Sequence, residues 1–316
     1  MTGVTDFITH YRWSDIFTVW FVLVDDAYLV LQQQFGEWRT RGTKPLFSDS
    51  EVITVALITD TFFGGDEAKT LSFVRQYHLD MFPRLPAPGQ FNQRRRTLVM
   101  ITEQVRRLLV AQWELLCPQD TYRLTDSAPI PVCTYTRAKL NKTVCQDRHL
   151  HFGYTPARKA KLFGFRLHLG TSTEGVVDRW LLAPASMHDS QMTGLYEGEA
   201  VPGLCMLADG AFNNPGWRAA LRHKHGHGTS VQLWALPRRD SRTPWPEQFR
   251  KVVARVRRRV ETVLSVLQSV FNIEQPKSRS LPGLVCRVAT RMLAYTLCFI
   301  SGPLLPLLGF HPITQN

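Results

Sequence analysis

Apolar residues recur at helical spacing through most of the first 116 positions and again from 249 onward, with strand-like alternation between. Trp13 to Phe35 carries one such stripe, interrupted by Asp25 and Asp26, and reads as a partly buried helix. Ser48-Asp49-Ser50-Glu51 has capping-box spacing ahead of Val52, Ile53, Val55, Ala56 and Ile58, which predicts a helix over about 49–63, stopped by Gly64-Gly65. A shorter helix is expected from Ala68 to His78. The proline-rich loop Phe82 to Gly89 then leads into one long helix, Gln90 to Leu116.

From Thr121 the pattern changes. Tyr122 to Asp126 predicts a strand with Asp126 near its end, and Phe163 to Thr171 a second, with Phe163, Phe165, Leu167 and Leu169 on one side. Val176 to Ala183 is a third strand, joined to the second by a short turn at Glu174-Gly175. Gly203 to Ala208 is a short buried strand ending at Asp209-Gly210. A helix from Asn213 to His223 and a strand from Val231 to Leu236 follow. Phe249 to Phe271 then places Val253, Val256, Val260, Val263, Leu264, Leu267 and Phe271 on one helical face. Glu261 lies about 100° from the centre of that face, beside Arg250, Arg257 and Gln268. The uncharged run Met292 to Phe310 contains Gly302, Pro303 and Pro306, and reads as a buried helix ending at Pro303 rather than a membrane span.

This order predicts an α/β fold preceded by a mainly helical N-terminal domain over 1–117. The α/β domain covers 118–275 with an insertion at about 133–161, and 276–316 is expected as a helical extension packed on it. With 316 residues and 44 % hydrophobic content the chain can fill a sizeable core. The net charge of +12 is unevenly spread: −2 over residues 1–120, +5 over 121–237 and +9 over 238–316. A basic surface of this kind meets polyanions, nucleic acid ahead of anionic membrane. Six cysteines without a C-x-x-C spacing argue against a zinc knuckle or a disulfide framework and fit a reducing cytoplasm. The first eleven residues have no signal-peptide pattern.

Asp126 and Asp209 both fall at strand ends, where open α/β sheets place their chemistry. Together with Glu261 they form a set too widely spaced, at 83 and 52 residues, to be a local motif. Three carboxylates brought together repel and raise one another's pKa unless a cation neutralises them; magnesium, a hard ion with oxygen ligands, suits them and manganese can substitute. His188 and Asp189 read either as outer support to such a metal or, for Asp189, as a helix N-cap. His223, His225 and His227 lack a carboxylate or cysteine partner at ligand spacing and read as an exposed loop. The insertion interleaves Arg137, Lys139, Lys142, Arg158, Lys159 and Lys161 with aromatic residues, as a DNA-gripping arm does. Gln93-Arg94-Arg95-Arg96 opens a helix that is either a basic reader of DNA or a solvated bundle face.

Five passages in order carry a resemblance: Leu124-Thr125-Asp126-Ser127 with Pro129; Phe163-Gly164-Phe165-Arg166-Leu167-His168; Ala185-Ser186-Met187-His188-Asp189-Ser190; Leu207-Ala208-Asp209-Gly210-Ala211-Phe212; and Arg257-Arg258-Arg259-Val260-Glu261. Over residues 46–300 the chain resembles the DDE transposases of bacterial insertion sequences. That resemblance implies an RNase H-like mixed sheet flanked by helices, with Asp126, Asp209 and Glu261 as the metal-binding catalytic acids. It also implies that Arg257 helps hold the terminal phosphate of the element. By their charge, Arg250 and Arg258 beside it and Arg94 and Arg95 in the N-terminal basic run are expected among the DNA contacts. The expected activity is two-metal cleavage of element ends and their joining to target DNA by a homodimer, in the cytoplasm at the nucleoid. A structure-dependent nuclease and a catalytically silent DNA-binding protein are the alternatives. Ala254 and Gln268 stand where the family pattern has a tyrosine and a basic residue, a departure that bears on how the DNA end is held.

Overall fold

The computed structural model describes residues 11–38, 42–117, 120–141, 143, 147–155, 159–191, 195, 204–214, 216, 232–237 and 244–307. The chain forms two compact units, Met1–Leu116 with Ser269–Asn316, and Cys117–Gln268. Lys142, Arg158, His223, His225 and His227, and most of the helix expected from Asn213 to His223, lie outside the described residues.

The first unit is helical: α1 (Trp13–Phe35), α2 (Asp49–Phe62), α3 (Glu67–Tyr77), α4 (Pro88–Thr97) and α5 (Val99–Leu116). Ser48 and Glu51 form the reciprocal capping box that their spacing predicts, and α2 is buried from Val52 to Asp60. The expected long helix from Gln90 is two helices, broken at Leu98, whose backbone leaves the helical region at φ −88°, ψ 5°. No proline or glycine marks that break, so periodicity runs through it.

Leu281–Leu307 forms the last helix of this unit, here α7 once Glu247–Ser269 of the second unit is counted as α6. It continues past Pro303 and Pro306. The extension expected on the catalytic domain instead lies with α2, α4 and α5. Its apolar side chains fill the helical core, and its charges are matched there. Asp60, fully buried, accepts from Arg95 and from Arg287 Nη1 at 3.0 Å; Glu67 accepts from Arg95 at 3.2 Å and from Asn92 at 2.9 Å. Burial alone would lower the pKa of the Arg95 guanidinium, but Asp60 and its neighbours carry it above its ordinary value. Gly65 takes φ +84°, and an added Cβ would lie 2.1 Å from Arg287 Nη1, so only glycine fits beside the network. By length and composition α7 is apolar enough to cross a membrane; 78 % of its most apolar window is buried within the protein.

The second unit is built on a mixed sheet. Its strands are β1 (Tyr122–Pro131), β2 (Phe152–Thr155), β3 (Ala160–Thr171), β4 (Val177–Pro184), β5 (Cys205–Ala208) and β6 (Gln232–Ala235). β1 pairs antiparallel with β3 and β3 with β4, whereas β1, β5 and β6 run parallel. Helix α6 covers one face, setting Val253 and Val260 on Leu124, Cys205 and Leu207. Met206, Phe212 and Leu233 pack on the other. Three antiparallel strands followed by two parallel ones, flanked by helices, make the RNase H-like fold. Cys133, Cys205, Cys286 and Cys298 are free thiols.

Candidate active site

Strand β1 is longer than the sequence pattern predicts, and Asp126 sits in its middle rather than at its end. The pairing with β5, however, covers only Tyr122 to Leu124. Beyond Leu124 that edge of β1 is free of β5. Val132 donates its N–H to Phe163 on β3, so the alternating residues 131 and 129 direct their backbone nitrogens to the free edge. Pro129 and Pro131, which have no N–H, are accommodated there without losing a ladder bond.

The same register builds the site. Leu124 lies opposite Leu207 in the parallel pair, and Asp126 and Asp209 each follow two residues later, so the two carboxylates leave adjacent strands on the same face. The Thr125 hydroxyl donates to the Leu169 carbonyl at 2.9 Å and fixes β1 on β3 at this level. Asp209 caps a short 3₁₀ turn, accepting from the Ala211 N–H at 2.7 Å, and buried Phe212 anchors the turn under the sheet.

Asp126 accepts from the Ser127 N–H at 2.8 Å. Burial pushes its pKa up to about 6; the Ser127 N–H and the Arg257 guanidinium act downward, and the Asp209 and Asp189 carboxylates push it further up. Arg257 is itself buried on α6, with Nη2 3.9 Å from Asp126 Oδ2 and an Nε that has no hydrogen-bond partner. It therefore faces a carboxylate in this structure, where the resemblance implied a phosphate.

Glu261, one turn further along α6, is exposed. Val260 and Val263 turn into the core and carry Glu261 onto the solvent-facing flank. Among the described residues no three histidine, cysteine or carboxylate side chains are grouped closely enough to hold a metal ion. The structure thus brings Asp126 and Asp209 together and leaves Glu261 outside the pair. The donors that are gathered suit a divalent cation nevertheless: both are hard oxygen ligands, and a cation would offset the burial and the neighbouring carboxylates that raise Asp126.

Asp189 joins this group through a contact the spacing did not reveal. Its Oδ1 accepts from the Ser127 hydroxyl at 2.9 Å and lies 3.9 Å from both Arg166 Nη1 and His168 Nδ1. His168 is fully buried, and neither ring nitrogen has a hydrogen-bond partner. Burial, then the charge of Arg166, lowers its pKa to about 3, so the ring is neutral. His188 takes no part: it is exposed and its Nδ1 pairs with Ser190 Oγ at 2.8 Å. Arg166 and His168 interrupt an apolar alternation in the sequence, and those two polar positions were the available signal.

The basic residues divide into two groups. Arg94 donates to Asp49 at 2.6 Å and to the Phe47 carbonyl, and Arg95 is consumed in the buried network with Asp60 and Glu67. Both were expected on DNA; instead they join the helices of the first unit, because they point toward acids on α2 and α3. Arg137, Lys139, Lys159, Lys161 and Arg258 are exposed, and Arg250 is half-buried. Within the insertion, Tyr135 packs on Phe152 at 5.4 Å between ring centroids, and Lys161 Nζ lies 5.4 Å from the centre of the Tyr135 ring. The insertion is therefore a folded edge of the sheet in its described part, with β2 paired to β3.

A family model described as the transposase DDE domain matches residues 118–297, more than half of the 316-residue chain. The chain belongs to this family. Neither the curated proteins nor the solved structures compared with it gave a significant match. The matched DDE domain contains Asp126, Asp209 and Glu261 together with the whole sheet and α6. Members of the family are metal-dependent enzymes that cut and join DNA.

Proposed function

We propose that this DDE transposase binds the terminal inverted repeats of its own element as a homodimer, cleaves the ends and joins the freed 3′ hydroxyls to target DNA. The observation that carries this reading is the in-register pair Asp126 and Asp209 beside the buried Arg257, inside the DDE domain. Asp126 and Asp209 would hold magnesium or manganese, and Glu261, exposed on α6 outside the pair, would have to turn toward them to supply the third carboxylate. When bound, two such ions lower the pKa of an attacking water or hydroxyl and stabilise the leaving 3′ oxygen. The Ser127 N–H orients Asp126, and Arg257 offsets the negative charge of the pair before metal and DNA arrive.

Arg137, Lys139, Lys159, Lys161, Arg250 and Arg258 supply the cationic surface for the phosphate backbone, joined by Lys142 and Arg158 from the insertion. The N-terminal helical unit reads the element ends, with exposed Arg96 available to phosphate. The protein acts at the nucleoid in the bacterial cytoplasm.

The test is incubation of the full chain with DNA carrying the inverted repeats that flank its coding region. Magnesium-dependent nicking at the repeat boundary, followed by joining of pre-nicked ends to a plasmid, is the expected result. Nicking without joining would identify a nuclease. The exposed Glu261 favours one second reading, a DNA-binding protein that has lost its chemistry. Tight binding to the repeats with no nicking in magnesium or manganese would establish it. Replacing Lys159 and Lys161 with alanine should weaken binding to all sequences alike and reduce the slope of log affinity against log salt by about 2, measured by fluorescence anisotropy.

A further inference from the structure

The basic hairpin β2–β3 is bonded to the loop that carries Asp189, and that loop is bonded to Ser127, whose N–H holds Asp126. Ser186 donates its N–H to the Leu150 carbonyl at 3.0 Å. Gly153 lies so close to the next residue back that an added Cβ would sit 2.3 Å from the Ala185 carbonyl oxygen. These two contacts clamp the start of the 185–189 segment against the hairpin. At its far end Asp189 accepts from the Ser127 hydroxyl, and the Ser127 N–H is the donor that holds Asp126.

Arg166 spans the whole path. It projects from β3 opposite Pro129, one alternate position beyond the Ser127–His168 pair, so its fork lies over the same face as the Ser127 hydroxyl. One arm, Nη2, donates to the Tyr154 carbonyl on β2 at 2.9 Å. The other, Nη1, lies 3.5 Å from Ser127 Oγ and 3.9 Å from Asp189 Oδ1. Only 16 % of the side chain is exposed, and Nε is buried without a partner, so the guanidinium is committed to these groups. Tyr154, Lys159 and Lys161, on and beside the same two strands, are exposed.

We propose that Arg166 is a positioning residue that links the basic hairpin to the active-site carboxylates, so that DNA seated on the hairpin sets the orientation of Asp189, Ser127 and, through them, Asp126. This rests on the reading of the chain as a DNA-cleaving transposase. Its geometric part does not, since the path from Tyr154 to Asp126 exists without DNA or metal. A planar fork is required: an ammonium at the same place could satisfy the carbonyl or the carboxylate but not bridge them.

The test compares the full-length protein with Arg166→Met, Arg166→Lys and Ser127→Ala. Without DNA or metal, Arg166→Met should make amides at 152–155 and 185–190 exchange with deuterium about tenfold faster, while Ser127→Ala leaves 152–155 unchanged. With end-bearing DNA, Arg166→Met and Ser127→Ala should both lower the turnover number by about 10- to 100-fold at unchanged KM, and Arg166→Lys should recover part of the loss. Unchanged exchange at 185–190, unchanged turnover, or a loss confined to DNA affinity would each overturn the proposal. A parent protein that binds its ends and never cleaves would instead remove the transposase reading, and the exchange comparison would still decide whether Arg166 makes the link.

Discussion

Asp126→Asn is expected to abolish cleavage while making the metal-free protein more stable. On the activity side, the substitution removes a carboxylate proposed to hold the metal, and its loss should forfeit several kcal/mol of transition-state stabilisation, on the order of a 10³-fold loss in a nicking assay. On the stability side, folding raises the pKa of Asp126 from 3.8 to about 6, so the folded protein holds this proton more tightly than the unfolded chain does. Stability therefore falls as pH rises through the window from about 4 to 6, and above it the ionised carboxylate is a standing penalty. Asparagine keeps an acceptor for the Ser127 N–H and carries no such charge. Denaturant unfolding at pH 7.5 should show the variant more stable by on the order of 2 kcal/mol, with the difference vanishing near pH 4. A gain of equal size at both pH values would mean that ionisation of the buried Asp126 carboxyl is not its source.

Asp60→Ala should have the opposite character, a severe loss of stability. Asp60 has no solvent exposure and receives both Arg95 and Arg287; removing it leaves two guanidiniums facing only Glu67 and a hydroxyl, Thr290 Oγ1 at 3.3 Å from Arg95. Breaking a buried pair in this way costs about 3–5 kcal/mol, because the charge left behind has lost water as well as its partner. Lys251→Ala is the internal contrast. Lys251 and Glu247 form an ion pair at 2.7 Å but are 71 % and 79 % exposed, and its loss should change stability by less than about 0.5 kcal/mol. Urea unfolding followed by circular dichroism measures both, and a change below about 1 kcal/mol for Asp60→Ala would mean that water reaches the network.

What the sequence made legible was whatever local spacing controls. The capping box at Ser48, the amphipathic stripe of α6 and the alternation of β3 each depend on neighbours within a few residues, and each is found where it was expected. Asp126 and Asp209 stand out in the sequence as candidate acids at strand ends, and the structure sets them on adjacent strands, but Asp126 lies in the middle of its strand. It is not the strand that ends there; it is the pairing with β5, a fact about a segment 80 residues away. Arg94 and Arg95 illustrate the same limit. A run of arginines reads as a surface until the acids that face it are known, and Asp49, Asp60 and Glu67 come from two other helices. The bridge from Arg166 to Asp189 joins residues that share no periodicity at all.

The helical unit is made from both ends of the chain, with the sheet unit, Cys117–Gln268, synthesised between them. On a ribosome, α1 to α5 emerge first and must wait through more than 160 residues for α7, which brings Arg287 to Asp60 and closes their core. A gene copy that ends early, before residue 281, would therefore yield a protein whose helices α1 to α5 cannot complete their fold even though every codon for them is intact. Such truncated products would be drawn to chaperones and proteases rather than persisting as competitors for the element's ends, so decay of the 3′ end of the gene silences the beginning of the protein as well.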